Sequence, residues 1–92
     1  MRQGAIKLKI ILMHYVYILR SIHFPEKIYI GFTEDLSARL DAHNAGHSLY
    51  TSKHKPWTVI NFIAFDTKKK AATFEKFLKS GSGAVFLKKY FL

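Results

Sequence analysis

The sequence contains no cysteine. Disulfides, thiolate zinc sites and thiol nucleophiles are therefore excluded, and any chemistry must come from other side chains. A long hydrophobic run is also missing. The apolar stretch at residues 10–19 is interrupted by His14 and is shorter than a membrane span, which needs about 20 apolar residues. No small-residue cleavage site follows this stretch, so a signal peptide is not expected. We therefore expect a soluble protein of the cytoplasm.

Acidic residues are scarce: 6 Asp and Glu stand against 15 Lys and Arg, which gives a formal charge of +9 and a pI near 9.9. A field of this sign attracts phosphate polymers and releases their counterions. Aromatic residues make up 15% of the chain and offer faces on which bases stack. Nucleic acid is the favoured partner. The alternatives are an anionic membrane surface and a charge that only maintains solubility.

The length of 92 residues suits one domain with one sheet and a few helices. Residues 1–12 alternate lysines with apolar neighbours, and we set them apart as an N-terminal extension that is either disordered or an extra edge strand. Met13 is an alternative start. Residues 13–92 form the predicted domain. Within it, "HYVYILRS" at 14–21 is rich in β-branched and aromatic residues and predicts a strand.

The next segments predict a hairpin and a helix. "KIYIGF" at 27–32 is a second strand that follows a turn at Pro25, and the short connection predicts antiparallel pairing. Thr33 is the expected N-cap of a first helix that ends at about Asn44, because a glycine follows shortly after. Residues 47–56 are polar and basic, which predicts a loop.

The last third of the chain predicts one strand and two helices. Residues 57–65 form a strand apolar enough to be central in the sheet, and Asp66 or Thr67 caps the helix that follows. The buried stripe of this helix is expected at Ala71, Phe74 and Leu78. "GSG" at 81–83 is expected to break it before a short closing helix. The predicted fold class is α/β of the α+β type, a small sandwich with a three-stranded, mostly antiparallel sheet flanked by about three helices.

Glu75 is the acidic residue that lacks an obvious structural reason. The other carboxylates fall in turns, at helix caps or on an outer helix face, whereas Glu75 borders the buried stripe of a basic helix. Its ordinary interpretation is a salt bridge to Lys79 one turn on, and position alone favours it. The alternative is a ligand for Mg²⁺, which one carboxylate can hold together with substrate phosphate and water.

Arg39 and His43 are four residues apart on the first helix and so point the same way. Solvent exposure of both is the ordinary interpretation. Tyr17 and Tyr29 lie on paired strands, where packing is the commoner fate of a tyrosine. His43 and His47 have the spacing of a zinc pair, but the helix is predicted to end between them, and we expect no zinc site.

Four short segments occur in an order and spacing that resemble the GIY-YIG nuclease domain: "YVYIL" at 15–19, "YIG" at 29–31, "ARLDAHN" at 38–44 and "FEKFLK" at 74–79. The resemblance covers about residues 14–90 and is closest to the small single-domain bacterial branch. The first motif departs from the family, because Tyr15-Val16-Tyr17 stands where the family has Gly-Ile-Tyr. Nothing obvious matches the asparagine that many members carry after the glutamate.

The resemblance implies a metal-dependent endonuclease that hydrolyses DNA phosphodiester bonds in repair or recombination, with specificity for structure rather than sequence. It implies Mg²⁺ or Mn²⁺ as the cofactor, held by Glu75, and Arg39 as the group that stabilises charge on the transition state. Tyr17 or Tyr29 would take a proton from the attacking water, and this choice stays open. His43 would assist that transfer or orient a tyrosine.

The resemblance also implies contacts to DNA that is branched, nicked or flapped, and a protein partner that adds specificity. The residues expected to contact DNA are Gly31, Lys53, Lys55, Lys68, Lys69 and Lys70. Such lysines bind the phosphates of DNA and do not recognise its base sequence. The alternative function is a nucleic-acid-binding module with the same fold that does not cut, or cuts only with a partner.

Overall fold

A computed structural model describes residues 13–92 of the chain, so the expectation of a leader or an edge strand at residues 1–12 lies outside it. The elements in chain order are β1 His14–Ser21, β2 Ile28–Thr33, α1 Leu36–Asn44, α2 Leu49–Ser52, β3 Trp57–Phe65, α3 Lys68–Leu78 and α4 Gly81–Tyr90. The predicted α+β sandwich is confirmed. One short helix more than expected is present, because α2 forms inside the segment predicted to be a loop.

Within residues 13–92 the sheet has three antiparallel strands in the order β2-β1-β3. The hairpin of β1 and β2 is confirmed. The expectation that β3 is central was wrong, because in the described part of the chain β1 pairs with both other strands and β3 lies at an edge. The apolar content of β3 reflects the packing of its faces and carries no information about which strand pairs on both sides. Half-exposed Phe62 lies on this edge strand.

Side chains of β1 alternate between two packed faces of the sheet. Val16 and Ile18 join the core beneath α3 and α4. Tyr17 and Leu19 join a second core with Trp57, which α1 covers. Each fully buried aliphatic side chain contributes about 1.5–3 kcal/mol. The consequence for the site is that Tyr17 lies on the α1 face of the sheet.

The start of α1 differs from the prediction. Asp35 is the N-cap, because its carboxylate accepts a hydrogen bond from the Ala38 backbone N–H at 3.0 Å. Thr33 is instead the last residue of β2, and its hydroxyl oxygen accepts from the Asp35 N–H at 3.1 Å. Both residue types cap well, and the pattern alone could not place the turn between them. The predicted end at Asn44 is confirmed, followed by Gly46 with φ +83°.

The helix α3 begins as expected at the N-cap Thr67, whose hydroxyl accepts from the Lys70 N–H at 3.1 Å. Its predicted stripe is confirmed, since Ala71 and Leu78 are buried and Phe74 packs against the same core. None of the helices within residues 13–92 has the length and apolar character that a membrane span requires.

The segment "GSG" does not break α3, contrary to expectation. α3 ends at Leu78, Ser80 caps α4 by accepting from the Gly83 N–H at 3.1 Å, and residues 81–83 form the first turn of α4. A Cβ at Gly83 would lie 2.6 Å from the Leu78 Cα. The glycine is therefore needed for the close approach of the two helices rather than for a break in the chain.

Candidate active site

Tyr17 of β1 lies across Gly31 of β2, its partner in the strand register. Only 1% of Tyr17 is exposed, and a Cβ at Gly31 would lie 2.7 Å from the Tyr17 Cζ. A ring carbon and a methyl group cannot be this close, so only glycine leaves room for the phenol. The structure thus gives a reason for Gly31 that is independent of DNA, and its contact with DNA stays a prediction.

A buried chain of side chains joins Tyr17 to His43 and Thr51. The Tyr17 hydroxyl lies 3.0 Å from His43 Nε2, and His43 Nδ1 lies 2.8 Å from Thr51 Oγ1. His43 is only 2% exposed, so the solvated interpretation of this histidine was wrong. The short helix α2 buries His43, because it places Thr51 over the imidazole.

The protonation states of this chain follow from its burial. Burial raises the pKa of Tyr17 well above its usual value, so the phenol keeps its proton. Burial, and then the positive charge of Arg39, lowers the pKa of His43, so the imidazole is neutral at pH 7. Tyr17 therefore donates to His43 Nε2, and His43 Nδ1–H donates to Thr51 Oγ1.

The lowered pKa of His43 predicts a loss of stability in acid. Below about pH 6.5 the unfolded chain protonates this histidine while the folded protein does not, so stability present above pH 6.5 falls as the pH falls. One proton contributes at most about 1.4 kcal/mol per pH unit. We expect the free energy of unfolding, measured with urea between pH 7.5 and 5.5, to fall less steeply in His43→Gln. The other histidines contribute to both proteins, so equal slopes would contradict the expectation.

Tyr29 of β2 differs from Tyr17 in that solvent reaches it. It is partly buried and lines a shallow cleft of about 330 Å³ together with Tyr50 and Lys79. Its ring centroid lies 4.9 Å from that of His43 and 5.7 Å from that of Tyr50. Lys79 Nζ lies 6.0 Å from the centre of the Tyr29 ring. Tyr29 is therefore the motif tyrosine that a substrate can touch.

Glu75 and Lys79 lie one turn apart on α3, with Lys79 Nζ 3.1 Å from Glu75 Oε2. The expected salt bridge is confirmed. Within residues 13–92 no group of three or more His, Asp or Glu residues could hold a metal ion. A metal at Glu75 would take its other ligands from phosphate and water, which is usual for Mg²⁺. Glu75 Oε1 forms no hydrogen bond within the described residues, so this carboxylate fits the predicted role.

The five expected catalytic residues form one electrostatic group. The pKa of Tyr17 is raised mainly by burial and further by Tyr29 and Glu75, whereas the positive charge of Arg39 lowers it. Arg39 also acts on His43, its neighbour on α1. The residues that shift the pKa of Tyr17 therefore come from β2, α1 and α3, and the joint role that the resemblance implies for them stays a prediction.

Arg39 is exposed and lines a cleft of about 310 Å³ that includes Lys68 and His14. His14 Nδ1 lies 3.5 Å from the carboxylate of Glu34, which lines the same cleft. Of the lysines expected to contact DNA, Lys68 is the one that lines this cleft with Arg39. The cleft holds two cations, Arg39 and Lys68, and two carboxylates, Glu34 and Asp35, so a phosphate group would contact it through Arg39 and Lys68.

The other expected DNA-contacting lysines lie elsewhere. Lys69 and Lys70 line a separate, mostly apolar groove on α3, and Lys70 Nζ lies 2.9 Å from the carboxylate of Asp66. Lys53 and Lys55 are exposed after α2. The structure therefore does not gather the basic residues into a single patch.

Thr51, Tyr50 and Lys79 belong to the site and were not among its predicted residues. The Trp57 indole N–H donates to the Thr51 carbonyl at 2.8 Å, which fixes α2 over the sheet. No local pattern in "HSLYTSKHKP" predicts that its threonine reaches a histidine in the preceding helix. The i,i+4 spacing of Lys79 from Glu75 was the available signal for that lysine.

Comparison with known proteins agrees with this geometry. Residues 13–90 match the GIY-YIG catalytic domain. A UPF0213 protein of Haloquadratum walsbyi is 38% identical over 68 residues, which cover 73% of this chain and 74% of that protein. A UPF0213 protein of Clostridium perfringens is 37% identical over 68 residues, 73% of this chain and 71% of its own.

A third relative is much longer than this chain. The structure-specific endonuclease subunit SLX1 homolog of Giardia intestinalis is 37% identical over 65 residues, which cover 66% of this chain and 18% of that protein. The UPF0213 proteins, of which this chain covers nearly three quarters, confirm the resemblance to the small single-domain bacterial branch. Because the match spans residues 13–90, which is more than half of the chain, the chain belongs to the GIY-YIG catalytic domain family, a family of nucleases.

Proposed function

We propose that this protein is a divalent-metal-dependent endonuclease that hydrolyses DNA phosphodiester bonds and selects DNA by structure rather than sequence. One observation supports this function above the others: Lys79 Nζ lies 3.1 Å from Glu75 Oε2 and 6.0 Å from the centre of the Tyr29 ring, so the carboxylate lies beside an accessible phenol. A purely structural cluster would not need a carboxylate, a guanidinium and an accessible phenol together. The structure-specific endonuclease named among the relatives supports the choice of substrate.

Arg39 is assigned to the scissile phosphate. Its guanidinium is exposed at the cleft that Lys68 also lines, and two parallel N–H donors match two phosphate oxygens. Negative charge grows on those oxygens as the attacking water adds to phosphorus, so a fixed guanidinium stabilises the transition state more than the bound substrate. Lys68 adds attraction that does not depend on sequence.

Tyr29 is assigned as the base, because solvent reaches it and Tyr17 keeps its own proton. Its oxygen accepts the proton as the water oxygen bonds to phosphorus and the bond to the leaving 3′ oxygen breaks. Tyr17 is a positioning residue, since its hydrogen bond holds His43 in the place where the imidazole packs edge-on against the Tyr29 ring.

Glu75 is assigned to the metal. Glu75 would hold Mg²⁺ or Mn²⁺, which would supply positive charge to the phosphate and to the leaving oxygen. The hydrogen bond from Lys79 Nζ to Glu75 Oε2 orients the carboxylate and leaves Oε1 for the metal. We place the activity in the cytoplasm, in repair or recombination, with a protein partner that narrows the choice of branched, flapped or nicked DNA.

The test is cleavage of an end-labelled panel of single-stranded, duplex, nicked, flap and branched DNA, with Mg²⁺, Mn²⁺ or EDTA. Arg39→Ala is compared with Lys88→Ala, an exposed lysine on α4. We expect Arg39→Ala to cut about 10²–10³-fold more slowly and Lys88→Ala to stay within about threefold of the unmodified protein.

Equal cutting by both variants, or cutting in EDTA, would contradict the proposed reaction. Binding of the panel without any cutting by the unmodified protein would favour the non-catalytic binding module instead.

A further inference from the structure

Two large apolar side chains stand exposed beside Tyr29. Leu49 is 91% exposed and Tyr50 is 66% exposed, and they are consecutive on α2. Single exposed apolar residues are ordinary, but a neighbouring pair at the edge of a reactive site is not explained by chance exposure. The Tyr50 ring lies 5.7 Å from the Tyr29 ring, so Tyr50 is continuous with the candidate active site and Leu49 precedes it on α2.

α2 holds these two side chains in a fixed position. Thr51, the next residue, is fully buried and bonded to His43, and the Trp57 indole donates to its carbonyl. Asn44 pairs with both the N–H and the carbonyl of Trp57, at 2.6 and 3.1 Å. A four-residue helix is anchored on its inner side while its first two residues face solvent. Exposure of Tyr50 is therefore built into the fold and does not reflect a loose loop.

The surroundings of Tyr50 are basic. Residues 42–65 contain no Asp or Glu, and Lys53 and Lys55 follow α2 directly. Lys79 lines the same cleft as Tyr50, and its ammonium is paired there with Glu75. An apolar protein partner would gain little from these charges, whereas a chain of phosphates carrying flat bases fits an aromatic face among cations.

We propose that Tyr50, flanked by Leu49, is a stacking site for an unpaired nucleobase next to the scissile phosphate. The inference rests on the proposed function and narrows its substrate to DNA with at least one unstacked base at the cut. A base inside a duplex would first have to leave its stack, which costs a few kcal/mol, whereas a base in a gap, flap or single strand is already free. Stacking accepts every base, which agrees with selection by structure.

The test is equilibrium binding in EDTA, so that no cleavage is needed. The probes are a single-stranded oligonucleotide with one 2-aminopurine and a duplex whose 2-aminopurine lies either in a gap or in a base pair. Fluorescence reports stacking of the probe base, and titration gives the affinity. The matched control is Tyr90→Ala, because Tyr90 is 62% exposed on α4 with Lys89 Nζ 5.4 Å from its ring centre.

We expect Tyr50→Ala to weaken binding of the single-stranded and gapped probes about tenfold and to remove the fluorescence change, while paired duplex binding stays within about twofold. Tyr50→Trp should keep both signals, and Tyr90→Ala should change neither. Thermal unfolding of each variant confirms that it folds. If Tyr50→Ala is unstable, Tyr50→Leu, which keeps an apolar side chain without a flat ring, carries the comparison and should show the same losses.

Equal weakening on single-stranded and paired probes would overturn the stacking site, as would an unchanged fluorescence response in Tyr50→Ala. These outcomes are separate from failure of the nuclease. A protein that never cuts DNA but binds the gapped probe through Tyr50 would refute the proposed reaction and keep this site. A protein that cuts in an Arg39-dependent way without any role for Tyr50 would do the reverse.

Discussion

Replacing Glu75 by Gln is expected to lower the rate of Mg²⁺-dependent cleavage by about 10³-fold or more. The amide keeps the size of the side chain and removes the charge that attracts the metal, and several kcal/mol of transition-state stabilisation are lost with it. DNA binding should be retained or become tighter, because one negative charge disappears from a basic surface. The measurement is a single-turnover rate on the best DNA of the panel, with affinity measured in Ca²⁺ or EDTA.

Two controls separate the metal role of Glu75 from its salt bridge. Glu26→Gln removes a carboxylate from the exposed turn after β1 and should leave the rate within about twofold. Lys79→Met breaks the bond to Glu75 Oε2 and keeps the carboxylate, so it should retain most metal dependence. Cleavage by Glu75→Gln at more than a tenth of the normal rate would show that this carboxylate is no metal ligand in the reaction.

Tyr29→Phe is expected to lower mainly the cleavage rate, and Tyr17→Phe is expected to lower mainly the stability of the fold. Loss of the accessible Tyr29 hydroxyl removes the base and should lower the rate about 10²–10⁴-fold, with little change in stability. Loss of the Tyr17 hydroxyl leaves His43 Nε2 buried without its partner, which costs about 1–3 kcal/mol of stability. Its effect on the rate should be smaller, since it acts through the position of His43.

The comparison requires the cleavage rate and the free energy of unfolding from the same two preparations. A rate loss in Tyr17→Phe as large as that in Tyr29→Phe, with folding intact, would make the buried tyrosine the base. It would then have to reach water by a rearrangement, because 1% exposure leaves no path to its oxygen.

Features that depend on neighbours in sequence could be predicted. The hairpin follows from β-branched runs around a proline turn, and the stripe of α3 follows from its 3.6-residue period. The i,i+4 spacing correctly put Arg39 and His43 on one side of α1, and both act on the same buried phenol. These rules hold because the interactions span one turn or one strand pair.

Features that depend on distant parts of the chain could not be predicted. The burial of His43 depends on α2 and on the indole of Trp57, and neither belongs to α1, the helix that carries this histidine. The edge position of β3 arises because β1 of the hairpin pairs with both other strands. The apolar pattern of β3 would be the same at the edge or in the centre of the sheet. The exposure of Tyr50 likewise follows from tertiary anchoring of a helix too short to be stable alone.

Tyr17 and Gly31 come from different motifs, yet a single volume is shared between them. A side chain at Gly31 has no space until the ring at Tyr17 becomes smaller, so the order of substitutions along a lineage is constrained. A side chain at position 31 would displace the Tyr17 ring from its place beside His43, whereas a smaller residue at position 17 would leave room for it. The two motifs are therefore expected to change together rather than one at a time.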